Sequence, residues 1–201
     1  MQNPNDLTIK TYNENFDTYE TKTPSMASGE LKEWIDAFLG YLPQKASIIE
    51  LGSATGRDAR YIAREGYNVT CTDIIPRALE KLSQEGFDTS LYDFRDEPRE
   101  EWLHRFDGYF ANAVLLHAPQ DVFEKALANI PKFIKPGGIA AFSLKTGTGE
   151  EITGRKMEAP RYFNYHSEEE VRALLAKLPF EILEISYGDA KKWLHIILKT
   201  K

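Results

Sequence analysis

Hydrophobic and polar positions along this chain follow two rhythms that take turns, one of three to four residues and one of two. In "GELKEWIDAFLGYLP" (residues 29–43), Leu31, Trp34, Ile35, Phe38, Leu39 and Leu42 recur at steps of three and four, which predicts an amphipathic helix stopped by Pro43. "ASIIEL" then predicts a short buried strand. Beyond a glycine-punctuated turn, Ala59, Ile62 and Ala63 share one helical face, and Gly66 closes that helix. "YNVTCTDI" alternates Tyr67, Val69 and Cys71 with polar neighbours, the period of a second strand. "PRALEKLSQEG" opens with Pro76 in its first turn and closes at Gly86, a well-punctuated helix. "FDTSLYDF" reads as a weaker third strand. "FDGYFANAVLLH" reads as a fourth, apolar enough to be buried on both faces. "QDVFEKALANIPKFI" follows as a helix with Val122, Phe123, Ala126, Leu127 and Ile130 inward, and "KPGG" leads into a fifth strand, "IAAFSLK".

Strands and helices alternating at this spacing imply right-handed crossovers and a parallel sheet. The end of the chain departs from that pattern. Ser167 and Glu170 form a capping box ahead of a helix carrying Val171, Leu174, Leu175 and Leu178. The strand-like runs "FEILEISY" and "KKWLHIILKT" are then separated only by "GDA", too short for a crossover, so they pair antiparallel. The expected fold is α/β: a doubly wound, Rossmann-like, seven-stranded, mainly parallel sheet whose last strand is antiparallel, with helices on both faces. Residues 28–201 form the domain, and residues 1–27 form an N-terminal segment.

Composition narrows the partners. Of the 201 residues, 42% are hydrophobic, enough for a sizeable core. The net charge of −6 argues against a nucleic-acid partner, which clustered Lys and Arg would attract. Cys71 is the sole cysteine, so neither an intramolecular disulfide nor a multi-cysteine zinc site is expected. No run approaches the roughly 18 apolar residues of a membrane span, and the polar opening "MQNPNDLTIK" does not read as a signal peptide. These features fit a cytoplasmic protein, monomer or homodimer, without nucleic acid or membrane as partner.

Chemistry concentrates in "IIELGSATGRDA", a strand running through a glycine turn into a helix. A phosphate-cradling P-loop needs Lys directly after its last glycine, and Arg57 follows Gly56 here. A dinucleotide turn needs Gly-x-Gly-x-x-Gly, and Ala54 stands at its middle position. Asp73 ends the second strand 21 residues beyond Gly52, where a carboxylate can accept hydrogen bonds from ribose hydroxyls. That spacing suits any adenosine cofactor.

Taken in order, these motifs resemble the class I S-adenosylmethionine-dependent methyltransferases. Glu50-Leu51-Gly52 through Gly56 is similar to the family's first motif, Asp73 to its ribose acid, Asp93 to the acid that meets the adenine amino group, with Phe94 on the ring. "ANAVLLH" and "IKPGG" resemble the motifs at the fourth and fifth strands. The resemblance covers nearly all of residues 28–201. It implies S-adenosyl-L-methionine as cofactor, held by Glu50, Gly52, Ser53, Ala54, Thr55, Gly56, Arg57, Asp73, Ile74, Asp93, Phe94, Ala111 and Asn112. It also implies direct in-line transfer of a methyl group to a small-molecule acceptor. Ala54 replaces a common family glycine, a change that a negative φ would accommodate.

His117, after the fourth strand, is the candidate general base; packing against the next helix is the competing reading. His104, on a short polar helix, and His195, in the last strand, read as structural; His166 directly precedes the capping box. "SLKTGTGE" followed by "RYFNYHSEEEV" is similar to a segment of small-molecule and tellurite-resistance-like methyltransferases. That likeness implies that Lys145, Arg161, Tyr162 and Phe163 lie over the pocket, where Lys and Arg would meet an anionic group; otherwise the aromatic residues cover a sheet edge. Tyr12, Phe16 and Tyr19, at helical spacings, resemble a cofactor lid, with Tyr12 and Tyr19 toward the cofactor, or else pack on the sheet. No Pro-Pro pair marks a base N-methyltransferase, Cys71 lies mid-strand rather than at a nucleophile's position, and no acid cluster suggests a metal. Two rivals remain: an NAD(P)-binding oxidoreductase, and a non-catalytic cofactor-binding subunit that regulates a partner methyltransferase.

Overall fold

The computed structural model describes residues 4–154 and 158–201. Two short helices, α1 (Pro4–Glu14) and α2 (Phe16–Thr21), precede the amphipathic helix α3 (Gly29–Gly40). Strands β1 (Ser47–Leu51), β2 (Asn68–Asp73), β3 (Asp88–Leu91) and β4 (Phe106–Ala111) then alternate with helices α4 (Arg57–Arg64) and α5 (Pro76–Gln84). Helix α6 (Gln120–Phe133), strand β5 (Ile134–Thr146), strands β6 (Gly149–Thr153) and β7 (Arg161–His166), helix α7 (Glu168–Leu175) and strands β8 (Phe180–Gly188) and β9 (Trp193–Thr200) complete the chain.

One sheet contains all nine strands. Strands β3, β2, β1, β4 and β5 lie side by side and parallel; β9 pairs antiparallel with β5, and β8 antiparallel with β9. These seven are the expected strands in the expected directions. Their side chains alternate between two cores, as the strand period demands. Ile49, Tyr109 and Ile196 face α6 and α7; Ile48, Phe110 and Ile197 face α3 and α4. The helical stripes meet them: Trp34, Ile35 and Phe38 on one side, Phe123, Leu127 and Ile130 on the other. The capping box of Ser167 and Glu170 starts α7 in both of its hydrogen bonds.

The structure departs from the sequence reading in three places. The fourth strand stops at Ala111 instead of running to His117, because Ala113 turns to a φ of 58° and a 3-10 turn over Leu115–His117 follows. Residues Tyr12, Phe16 and Tyr19 do not share one helix, since the chain breaks at Asn15 between α1 and α2. His104 sits not on a helix but in a turn after the 3-10 segment Glu100–Trp102, at a φ of 50°.

The hairpin β6–β7 is an addition to the seven strands. Lys145 of β5 pairs with Trp193 of β9 on one edge and with Tyr165 of β7 on the other. Strand β7 therefore takes the edge that β4 leaves vacant after Ala111. Helix α1 lies on it, with the Tyr162 amide donating to Thr8 Oγ1 at 2.9 Å and Thr11 Oγ1 donating to the Pro160 carbonyl. This places hairpin and α1 together above the carboxyl ends of the central strands.

Candidate functional site

The chain leaves β1 to the β2 side and returns on its other flank as β4, so the topological switch point lies between β1 and β4. The glycine turn stands there. Gly52 has a φ of 67°, and a Cβ at this position would stand 2.4 Å from Val114 Cγ2. Gly56 caps α4 at a φ of 78°, where a Cβ would stand 2.3 Å from Leu82. Both positions demand glycine for space as well as for conformation. Ala54 has a φ of +46°, so the negative φ that would accommodate its methyl is not what the turn adopts. The left-handed conformation costs a non-glycine residue about 1 kcal/mol, and it aims the Ala54 amide at Asp73 Oδ2, 2.8 Å away.

Asp73 also accepts the Ile75 amide on Oδ1 at 2.8 Å, which orients its carboxylate at the tip of β2; burial pushes its pKa up. Asp93 receives the backbone amide and side chain of Arg95, and Arg95 reaches on to Asp6 of α1 at 2.6 Å. Beneath the turn, Glu50 is fully enclosed, its Oε2 has no hydrogen-bond partner, and burial beside Asp58 pushes its pKa up to about 8. Asn112 joins the two flanks: its Nδ2 donates to Asp58, and its Oδ1 accepts from Ser143 Oγ.

Two adjoining cavities open above these residues, with Tyr12, Tyr19, Asn112, Ala113 and His117 in the walls of both. The first, about 100 Å³, is lined by Gly52, Ala54, Asp73, Ile74, Asp93 and Phe94 from the sheet and by α1 and α2 from above. The second, about 460 Å³, is lined by Arg57, Lys145, Arg161 and Phe163. Glu50, Ser53, Thr55, Gly56 and Ala111 are absent from both linings and form the floor under the turn. The Tyr162 ring is absent too. Strand alternation sends Arg161, Phe163 and Tyr165 to the cavity and Tyr162 to the opposite face, so Tyr162 contributes its backbone alone.

His117 is buried where the cavities meet. Its Nδ1 lies 2.6 Å from the Tyr162 carbonyl, which can only accept, so Nδ1 carries the proton and Nε2 the lone pair. Tyr12 Oη lies 3.4 Å from that Nε2 and accepts from Arg161 Nη1 at 3.0 Å. Donors thus run in one direction, from Arg161 through Tyr12 and His117 to a backbone carbonyl. Burial drives the His117 pKa down to about 4, which keeps the ring neutral. His195 stacks on Trp34 at 4.6 Å, as a packing residue does, yet it also borders the second cavity; burial lowers its pKa to about 4. His166 packs on Phe123 at 4.4 Å.

Sequence reasoning missed Trp193 and Tyr165 in the second cavity and Asn5, Thr8 and Ile9 over the first. The alternation in "RYFNYH" was a usable signal for Tyr165. Trp193 had none, since its place depends on the pairing of β9 with β5.

The residues fit an adenosine cofactor bearing an amine. The turn would lose its shape if either glycine gained a Cβ; two oriented carboxylates border the first cavity, and a buried carboxylate with one unpartnered oxygen lies below. A family model described as a methyltransferase domain matches residues 25–185, about four-fifths of the chain. A search of curated proteins found no match. Among solved structures, the fold is similar to a Burkholderia thailandensis 1,6-didemethyltoxoflavin-N1-methyltransferase with its substrate and S-adenosylhomocysteine bound. That pair shares 20% identity at a TM-score of 0.72, covering 98% of this chain and 87% of the other. A Methanosarcina mazei S-adenosylmethionine-dependent methyltransferase is similar at 16% identity and a TM-score of 0.69, covering 82% and 96%. A Rhodobacter sphaeroides protein described as a zinc-dependent alcohol dehydrogenase is similar at 14% identity and a TM-score of 0.77, covering 100% and 99%. At these identities the structural likenesses speak for the fold.

Proposed function

The chain belongs to the methyltransferase-domain family, whose methyl donor is S-adenosylmethionine, and from that premise we propose that it methylates a small-molecule acceptor held in the larger cavity. The observation that carries this reading is the pair of joined cavities at the switch point, with Tyr12 and His117 in the wall between them. We assign the chain to the small-molecule, tellurite-resistance-like branch on the resemblance of its residues 143–150 and 161–171, and place it in the cytoplasm.

The donor would be held by Asp73 at the ribose, Asp93 and Phe94 at the adenine, and the turn from Gly52 to Gly56 with Glu50 below at the amino-acid end. When bound, it supplies a methyl group activated by a sulfonium. The protein's own task is alignment, which lowers the barrier without a covalent intermediate. Asn112, tied to Asp58 and Ser143, is a fixed post between the cavities. His117 Nε2, whose lone pair the Tyr12 hydroxyl holds at 3.4 Å in the free protein, takes an acceptor N–H or O–H in its place as a neutral hydrogen-bond acceptor. It orients an acceptor N–H or O–H and receives its proton as the bond to carbon forms. A ring with a pKa near 4 gives that proton up to water readily once the site opens.

Residues 1–27 act as the lid in this reading. The first cavity, at about 100 Å³, is well below the roughly 300–1,000 Å³ of ordinary ligand pockets. Helices α1 and α2 supply its roof, so they must swing outward to admit the donor and then close to exclude water.

Calorimetric titration with S-adenosylmethionine and with NAD tests the proposal. The wild-type protein should bind the former at about micromolar affinity, and Asp73→Ala should weaken it by at least about tenfold, the loss of a hydrogen bond to a charged group. Preference for NAD would make the protein an oxidoreductase. Binding of the donor with no methyl transfer to any acceptor would make it a regulatory subunit.

A further inference from the structure

Of the two arginines in the cavity walls, Arg57 has a carboxylate partner and Arg161 has none among the described residues. Arg57 pairs with Asp58 at 2.7 Å, and Arg95, beside Asp93, pairs with both Asp93 and Asp6. Arg161 pairs with none among the described residues, and the residues outside that set include no acid. It is also the most deeply buried of the three, 6% exposed. Among the described residues its one side-chain hydrogen bond goes from Nη1 to Tyr12 Oη, and its Nε is buried without a partner. The rings of Tyr12 and Phe163, 5.6 and 5.0 Å from its guanidinium carbon, give only partial compensation. A guanidinium taken out of water in this way loses hydration that ring contacts do not restore.

The rest of the cavity leaves the charge unanswered. Lys145, on the same wall, rests its Nζ 3.9 Å from the Trp193 ring and forms no ion pair among the described residues. Of the two acids in the lining, Glu30 accepts the Asp189 amide and Asp189 pairs with Lys192, and neither forms an ion pair with Arg161 or Lys145. A cavity with two free cations, engaged acids and aromatic walls is built for an anion with a flat apolar body.

We infer that the methyl acceptor is a carboxylate-bearing small molecule with an apolar or aromatic body, and that Arg161 receives its carboxylate while Lys145 supplies the second positive charge. This rests on the methyltransferase reading for the word acceptor, but not for the anion site. The Nε edge of a guanidinium presents parallel N–H donors that match the two oxygens of a carboxylate, and that edge of Arg161 is the unengaged one. The carboxylate is an anchor and not the methylated atom in this arrangement. Its fixed position beside Tyr12 turns the remainder of the molecule toward His117 and the first cavity.

The test uses benzoate and benzamide, which share a ring and differ in charge, titrated by calorimetry or NMR into the full chain with and without S-adenosylhomocysteine. Benzoate should bind saturably and at least about tenfold more tightly than benzamide, the discrimination expected of a charged hydrogen-bonded pair. Arg161→Gln should abolish that preference, and Arg161→Lys should restore part of it by keeping charge without the fork. Equal binding of the two probes to the wild-type protein, or benzoate binding unchanged in Arg161→Gln, overturns the inference. The first comparison needs no variant and so survives a variant that does not fold. Failure of S-adenosylhomocysteine to bind would overturn the methyltransferase reading separately, since the benzoate comparison is read on the free protein as well.

Discussion

The two cavities differ in charge, in chain origin and in how well their polar groups are satisfied. The smaller is bordered by Asp73 and Asp93, and each carboxylate is held by backbone amides or by Arg95. The larger is bordered by Lys145 and Arg161, and neither has a carboxylate partner among the described residues. The acids sit on turns that directly follow parallel strands. The cations come from the end of β5 and from a hairpin, and Arg161 meets Tyr12 across 149 residues of sequence. The smaller cavity, the proposed donor half, is thus a completed structure that the fold itself supplies, whereas the larger, the proposed acceptor half, is assembled from remote pieces, with two cations that lack a carboxylate partner among the described residues. Specificity belongs in the second.

The largest expected effect breaks the donor half. Gly52→Ala adds a Cβ 2.4 Å from Val114 at a φ of 67°. It should cost about 4 kcal/mol in denaturant unfolding, from strain and overpacking together. Adding Val114→Ala should return the overpacking share and leave the strain.

Glu50→Gln separates stability from binding within the same half. Glu50 has a folded pKa of about 8, above its unfolded value, so its contribution is full below the unfolded pKa and lost as pH rises through 8. The variant should therefore unfold at a higher temperature than the wild type at pH 9, with the gap closing toward pH 4. Its affinity for S-adenosylmethionine should fall. Equal melting temperatures at pH 9 would show that Glu50 is ionised without cost.

Acid should reveal the other half. His117 and His195 have folded pKa values near 4, below the unfolded value of 6.5. Their neutral burial is fully accommodated above pH 6.5 and becomes a liability as pH falls toward 4, because the unfolded chain takes the proton first. Each should remove about 3 kcal/mol across that window, and His117→Asn should flatten the wild-type curve by about half. The smallest effect sharpens the account of the turn: Ala54→Gly should stabilise the free protein by about 1 kcal/mol by relieving the φ of 46°.

The legible part of the site was the part made by adjacent residues. Gly52, Asp73 and Asp93 could be placed because each follows a strand whose period is visible, and neighbouring parallel strands deliver their ends to one rim. Tyr162 could be placed in its segment but not on its face, since nothing fixed the register of β7 before its pairing with β5 and β6 was known. Ala54 was legible as a departure from glycine, but the sign of its φ was not. That sign follows from where the Asp73 carboxylate waits for the amide.

The sequence by itself determined the order of the seven expected strands and the helices between them, the doubly wound sheet with its antiparallel last strand, and the rim on which Asp73 and Asp93 stand. Those outcomes rest on periodicity and turn chemistry, which act over a few residues and are written in the local order of the chain. The tertiary structure alone decided that α1 roofs the first cavity, that β7 occupies the edge vacated by β4, and that Tyr12, His117 and Arg161 form one directed chain of hydrogen bonds. Each of these joins residues at least 20 positions apart, and the hydrogen bonds of His117 and Arg161 span 45 and 149, where sidedness and partner choice come from packing and no local pattern specifies them.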